Sequence, residues 1–191
     1  TLSQAAGDVV TVDFETQVQP VTDRRCVVCH GCYDAPCQLK LSSYAGMQRG
    51  GSTTRVYNGA RIQAIEPTRL GIDALSTEEW RAKGFRPVLP DTGSDTPREN
   101  LKHSIMYQLL RMKQRHPQPR VGMLPDGVDV ELDRAQVCAS STGFAQLQQD
   151  HPLWGMPYGL PNLSEDEYAT LVWWLAQGAP GPQPREISDL S

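Results

Sequence analysis

Arg25-Cys26-Val27-Val28-Cys29-His30-Gly31-Cys32 is the stretch on which the reading of the whole chain turns. Cys-x-x-Cys-His is the attachment pattern of c-type haem. Two thiols three residues apart lie on one helical turn and add to the two vinyl groups of a single porphyrin edge. The next residue, His30, then offers its imidazole to the iron as proximal ligand. The competing reading is a redox or zinc Cys-x-x-Cys with an incidental histidine. Zinc requires a second ligand pair, and Cys32 and Cys37 crowd the same stretch. The expectation is one covalent haem c, held by Cys26, Cys29 and His30.

The partner signal lies far downstream. Gly155-Met156-Pro157 is a stiff loop just before a capped terminal helix, and a thioether is a soft, neutral ligand that suits haem iron. Met156 is therefore expected on the distal face. Met123, in Gly122-Met123-Leu124-Pro125, is its rival, and an open distal face is the third possibility. Met106 and Met112 sit on a helix and read as packing; Met47 is too near the attachment site. His103, His116 and His151 read as surface residues. This pattern predicts a mainly α protein with a class I cytochrome c-like core over residues 1–178. Cys26 and Met156 are separated by 130 positions. A large loop-rich insertion, about 43–141, is therefore expected between proximal and distal ligands.

Local signals fill in the elements. Residues 13–25 predict a helix broken near Pro20. Ser76 with Glu79, and Ser164 with Glu167, are capping boxes in which each side chain satisfies the other residue's free amide. They start a short helix and a terminal one, whose stripe is Tyr168, Leu171, Val172 and Leu175. Leu101, Ile105 and Leu109, flanked by Met106 and Leu110, predict one long helix over 99–114, ended by His116-Pro117. A short helix is expected from Thr142 to Gln149, and no strands. Residues 179–191, opening Ala179-Pro180-Gly181-Pro182, read as a proline-rich linker or tail.

Composition sets outer limits. The 191 residues include 16 Gly and 15 Pro, consistent with long loops. With 18 Lys and Arg against 22 Asp and Glu, the net charge of −4 argues against a nucleic-acid binder. No apolar run reaches the ~20 residues of a transmembrane helix. Five cysteines leave three after haem attachment. Cys32–Cys37, Cys37–Cys138 and Cys32–Cys138 are all possible bridges, as are three free thiols. Either bridge to Cys138 would clamp the insertion to the haem segment. Arg61 and Arg69 are candidates to fork onto haem propionates, or else are solvated. Trp154, Trp173 and Trp174 are candidates for haem packing or a lipid-facing patch, or else pack in the core with one of the 173/174 pair exposed.

The run from Arg25 to Leu41 resembles the haem segment of the bacterial fatty acid cis/trans isomerases. Further resemblance runs through Arg55–Arg61, Glu66–Leu70, Thr77–Arg81 and His151-Pro152-Leu153-Trp154-Gly155-Met156-Pro157. It covers about residues 20 to 180. The resemblance implies a periplasmic haem enzyme that converts cis double bonds of membrane phospholipid acyl chains to trans under stress. It also implies that this chain is the haem-bearing N-terminal part of a longer polypeptide. In that reading His30 and Met156 set the reactivity of the iron, which withdraws π character from the double bond while the chain rotates. Two other functions use the same haem: an electron-transfer cytochrome domain, and a sensor or structural haem domain.

Overall fold

Asp13 opens the first helical segment, its carboxylate accepting from the amide of Thr16 at 2.7 Å. A π-helical turn, Phe14–Val18, runs straight into α1, Gln19–Arg25. Pro20 falls in the first turn of α1, where its missing N–H costs nothing. The expected break near Pro20 is this change of helical type. The computed structural model describes residues 11–32, 35–54, 56, 66–91, 96–128 and 138–183.

The remaining helices are short. They are α2 (Val27–His30), α3 (Tyr44–Arg49), α4 (Thr77–Ala82), α5 (Pro97–His103), α6 (Ile105–Arg115), α7 (Phe144–Asp150) and α8 (Glu165–Ala176). Both expected capping boxes are formed, at α4 and α8. α7 covers the helix expected at 142–149. Among the described residues, extended pairing is limited to two isolated bridges, Gly51 with Arg86 and Leu70 with Ala74. The architecture is mainly α.

The single helix expected over 99–114 is corrected to two. Ser104 is extended (φ −85°, ψ 111°) and separates α5 from α6. Its hydroxyl accepts from the Tyr107 amide at 3.1 Å and donates to the Val88 carbonyl at 3.2 Å. A buried serine that caps the next helix outcompetes continuation of the previous one. α3 has no counterpart in the sequence reading; Ser43 caps it by accepting from the Gly46 amide.

One core unites the first and last described helices with the segments between them. Phe14 meets Tyr44 edge-on at 5.2 Å and Trp174 at 5.7 Å. Leu171, Trp174 and Leu175 of α8 are fully buried with Val18. Met47, Val88, Leu89, Ile105, Met106, Leu110 and Met112 join the same cluster. The stretch expected as an insertion is therefore part of the main core. A smaller cluster holds Ala74, Trp80 and Phe85, with the Arg49 guanidinium over both rings. The start of the proline-rich end is fastened down. Tyr44 donates to the Ala179 carbonyl at 2.9 Å, and Trp174 Nε1 to the Pro180 carbonyl at 2.9 Å. Residues 184–191 lie outside the described residues. Among the described residues, no helix is long and apolar enough to cross a membrane.

Candidate functional site

Cys26 is the N-cap of α2, and both Cys29 and His30 donate their amides to its carbonyl, at 3.1 and 2.9 Å. One turn thus carries all three residues of the motif. Cys29 is exposed, Cys26 is half-buried against the main core, and His30 is buried. Burial pushes the Cys26 thiol up to about 12, well above its ordinary range. His30 Nδ1 lies 3.3 Å from the Leu39 carbonyl. A carbonyl only accepts, so Nδ1 carries the proton and Nε2 keeps its lone pair. Burial lowers the imidazole pKa and so favours the neutral ring that can ligate, and the Leu39 contact opposes that shift.

The segment that carries Leu39 is itself held from several sides. The His30 carbonyl accepts from the Leu41 amide at 2.8 Å. Gln38 donates to the Thr54 carbonyl at 2.7 Å and accepts from the Thr68 hydroxyl at 2.9 Å. The buried Arg49 donates to the carbonyls of Thr68 and Gln38. Cys37 forms a disulfide with Cys138, 101 residues away. Among the pairings left open by the sequence, this is the one present, and Cys32 is an exposed free thiol. The bridge removes Cys37 from any zinc set with Cys32. Among the described residues, no group of three or more His, Cys, Asp or Glu side chains is placed to hold a metal. The other end of the motif is tied to α8. Arg25 donates to Glu167 Oε2 at 2.9 Å and to the Asn162 carbonyl at 3.2 Å.

Met156 is half-buried and is positioned by a different element. Its amide donates to the Leu109 carbonyl of α6 at 3.1 Å. Gly155 is pressed so closely on α6 that a Cβ there would lie 2.2 Å from the Lys113 amide nitrogen. Trp154 packs against the core and stacks on His151, with centroids 3.7 Å apart. Met123 is 91% exposed, on a loop. Met106, Met112 and Met47 are buried in the core. Trp174 is buried and Trp173 exposed. Arg69 forks onto Asp73, with Nε and Nη2 each donating at 2.9 Å. Arg61 lies outside the described residues. α2 and α6 thus hold the proximal and distal candidates separately.

Two buried polar residues escaped the sequence reading. Lys113 is 2% exposed, and among the described residues neither its Nζ nor the side-chain amide of Gln118 has a hydrogen-bond partner. Desolvation brings the Lys113 amine down to about 8. Nothing in the sequence marks it, because a lysine in a helix's last turn ordinarily reads as solvated.

A family model described as fatty acid cis/trans isomerase (CTI) matches residues 65–191. The chain belongs to the fatty acid cis/trans isomerase family. The CTI match takes in Arg69, Lys113, Cys138, Trp154 and Met156, and begins beyond Cys26, Cys29 and His30. Membership makes this an isomerase-family chain whose relatives act on fatty acids. No curated protein and no solved structure matches it.

Proposed function

We propose that this CTI chain is the haem-bearing part of an enzyme that converts cis double bonds of membrane phospholipid acyl chains to trans. The observation that carries the reading is the placement of His30. It is buried one residue after Cys29, with Nδ1 engaged by Leu39 and Nε2 left for a metal. The donor set fits a c-type haem: two thiols on one turn for the vinyl groups, and a neutral imidazole beside them. A bound haem would supply an electron-accepting centre, the chemistry needed to weaken a π bond without consuming water or reductant.

The protein's share is to hold and tune. Cys26 and Cys29 would fix the cofactor covalently to α2. Leu39 orients the His30 ring and raises its basicity as a ligand. Met156, anchored to α6 through Leu109, is the distal candidate. Trp154 beside it offers an apolar wall. Arg61 and Arg69 are candidates for the propionates; for Arg69 this means exchanging Asp73 for a carboxylate. The cytochrome c-like core of this reading is supported by the joining of the N-terminal segment and the terminal helix. Phe14 meets Trp174, and Arg25 is paired with Glu167. A periplasmic location is supported by the Cys37–Cys138 bridge, since disulfides persist in oxidising compartments, where c-type haem is also attached.

The test has two readouts. Pyridine haemochrome spectra and intact mass on the protein made in haem-attaching cells should show one covalent haem. Incubation of the longer polypeptide that carries this chain with cis-acyl phospholipid should give trans product by gas chromatography. A native protein that carries no haem under those conditions contradicts the proposal.

A further inference from the structure

An acidic chain that acts on lipid needs a means of meeting a bilayer. The structure offers one in the loop that follows α6. Val121, Met123 and Leu124 are three of four consecutive residues, and they are 90%, 91% and 40% exposed. Single exposed apolar side chains are ordinary, but a run of them at a loop tip is a liability unless it is used. Gly122 between them has a positive φ of 119° and no heavy atom within 4 Å of where a Cβ would stand, so the loop tip stands clear of the body.

The charge beside this tip differs from that of the chain. From Arg111 to Pro125 there is no Asp or Glu, although the whole chain carries −4. Arg111 and Arg115 lie one turn apart on one face of α6, and Arg120 immediately precedes Val121. All three are exposed, and among the described residues none forms an ion pair with a carboxylate. Asp126 is the first acidic residue, on the far side of the tip. Arginines next to a short apolar projection match an anionic headgroup layer above an acyl interior.

The loop is also strapped to the segment that carries Met156. At its start, the Gln118 amide donates to Asn162 Oδ1 at 3.2 Å. At its end, a Cβ on Gly127 would sit 3.5 Å from Leu153 Cδ1. Whatever engages residues 121–124 therefore lies beside residues 153–162.

We propose that the 120–124 loop is the bilayer-docking element. Val121, Met123 and Leu124 enter an anionic phospholipid surface, and Arg111, Arg115 and Arg120 face its headgroups. Docking sets the 153–162 segment against the membrane, where acyl chains are supplied. The choice of a bilayer as occupant rests on the lipid substrate of the proposed function; the location of the surface does not.

The experiment uses vesicles of fully saturated phosphatidylglycerol and phosphatidylcholine, which contain no double bond, so binding is read independently of catalysis and of haem. The native protein should co-sediment with phosphatidylglycerol vesicles, bind phosphatidylcholine vesicles weakly, and be released by salt. The triple variant Val121→Ser/Met123→Ser/Leu124→Ser should bind about a hundredfold more weakly. Arg111→Gln/Arg115→Gln/Arg120→Gln should lose the preference for anionic lipid. Leu75→Ser, which removes an 80% exposed leucine outside the loop, should bind as the native protein does. A native protein that does not bind phosphatidylglycerol vesicles overturns the proposal, as does a triple variant that binds like native. Self-association that disappears in the triple variant, without vesicle binding, would assign the loop to a second copy instead and equally overturn it.

Discussion

His30 and Leu39, nine residues apart, are joined through Nδ1 and a backbone carbonyl at 3.3 Å. This contact turns a sequence motif into a metal-ready group. It fixes which ring nitrogen carries the proton and which way the other faces. Leu39 is held in turn because its neighbour Gln38 is gripped by Arg49, Thr54 and Thr68, and Cys37 is covalently tied to Cys138. The middle of the chain thus serves the motif at its start.

The tie between Cys37 and Cys138 restrains about half the chain in the unfolded state. Replacing both with serine should lower stability by about 2–5 kcal/mol, the range for a native bridge across a long loop. Chemical denaturation of native and double variant measures this. An unchanged midpoint would show that the core holds the 38–138 stretch without the bridge.

Gly155 has a steric role next to Met156. Its alanine variant puts a methyl group 2.2 Å from the Lys113 amide nitrogen, which belongs to helix backbone and cannot swing away. A loss of about 1–3 kcal/mol is expected, the range for overpacking. Gly159 is the matched control. Its φ is positive, unlike that of Gly155, and nothing lies within 4 Å of a Cβ there, so Gly159→Ala carries conformational strain without the clash. Thermal melts compare the two.

Met156 makes a spectroscopic prediction. If it ligates the iron, Met156→Ala removes the methionine-to-iron charge-transfer band of the ferric protein, while Met123→Ala leaves it. An unchanged visible spectrum for Met156→Ala excludes Met156 as ligand. A band lost only in Met123→Ala transfers the role to the exposed loop.

Lys113 should show itself in the pH dependence of stability. Its folded-state value, about 8, lies below the 10.5 of a free lysine. Between those values the unfolded chain binds more protons, so stability rises with pH across that window. The penalty is fully present below about pH 8. Lys113→Met should be more stable than native at pH 7, with the gap closing as pH rises towards 10.5. Denaturant titrations at a series of pH values read the gap. A methionine variant less stable than native at pH 7 would show that the amine has an anionic partner.

Local chemistry was legible in the sequence. The boxes at Ser76/Glu79 and Ser164/Glu167 depend on residues three apart, and both are formed. Leu171 and Leu175 of the stripe expected on α8 are buried, as is Met106 on α6, but Tyr168 and Val172 are only half-buried and Trp174 completes the buried face. Properties that depend on distant neighbours were not legible. Ser104 sits within an unbroken apolar stripe, and only the Val88 carbonyl above it explains the break. The partner of Cys37 lies 101 residues away, and Lys113 is buried although its neighbours Gln114 and Arg115 are exposed. At the site, the motif on α2 was plain in the sequence, but its support by Leu39 was not.

The most direct measurement is the trans-to-cis ratio of acyl chains in phospholipid incubated with the longer polypeptide that carries this chain, native or as Cys26→Ser/Cys29→Ser, each at equal concentration. The account predicts accumulating trans chains with the native protein and none above background with the variant. Trans product forming at the native rate in a variant without covalent haem, or no trans product from the longer polypeptide that carries this chain, would contradict it.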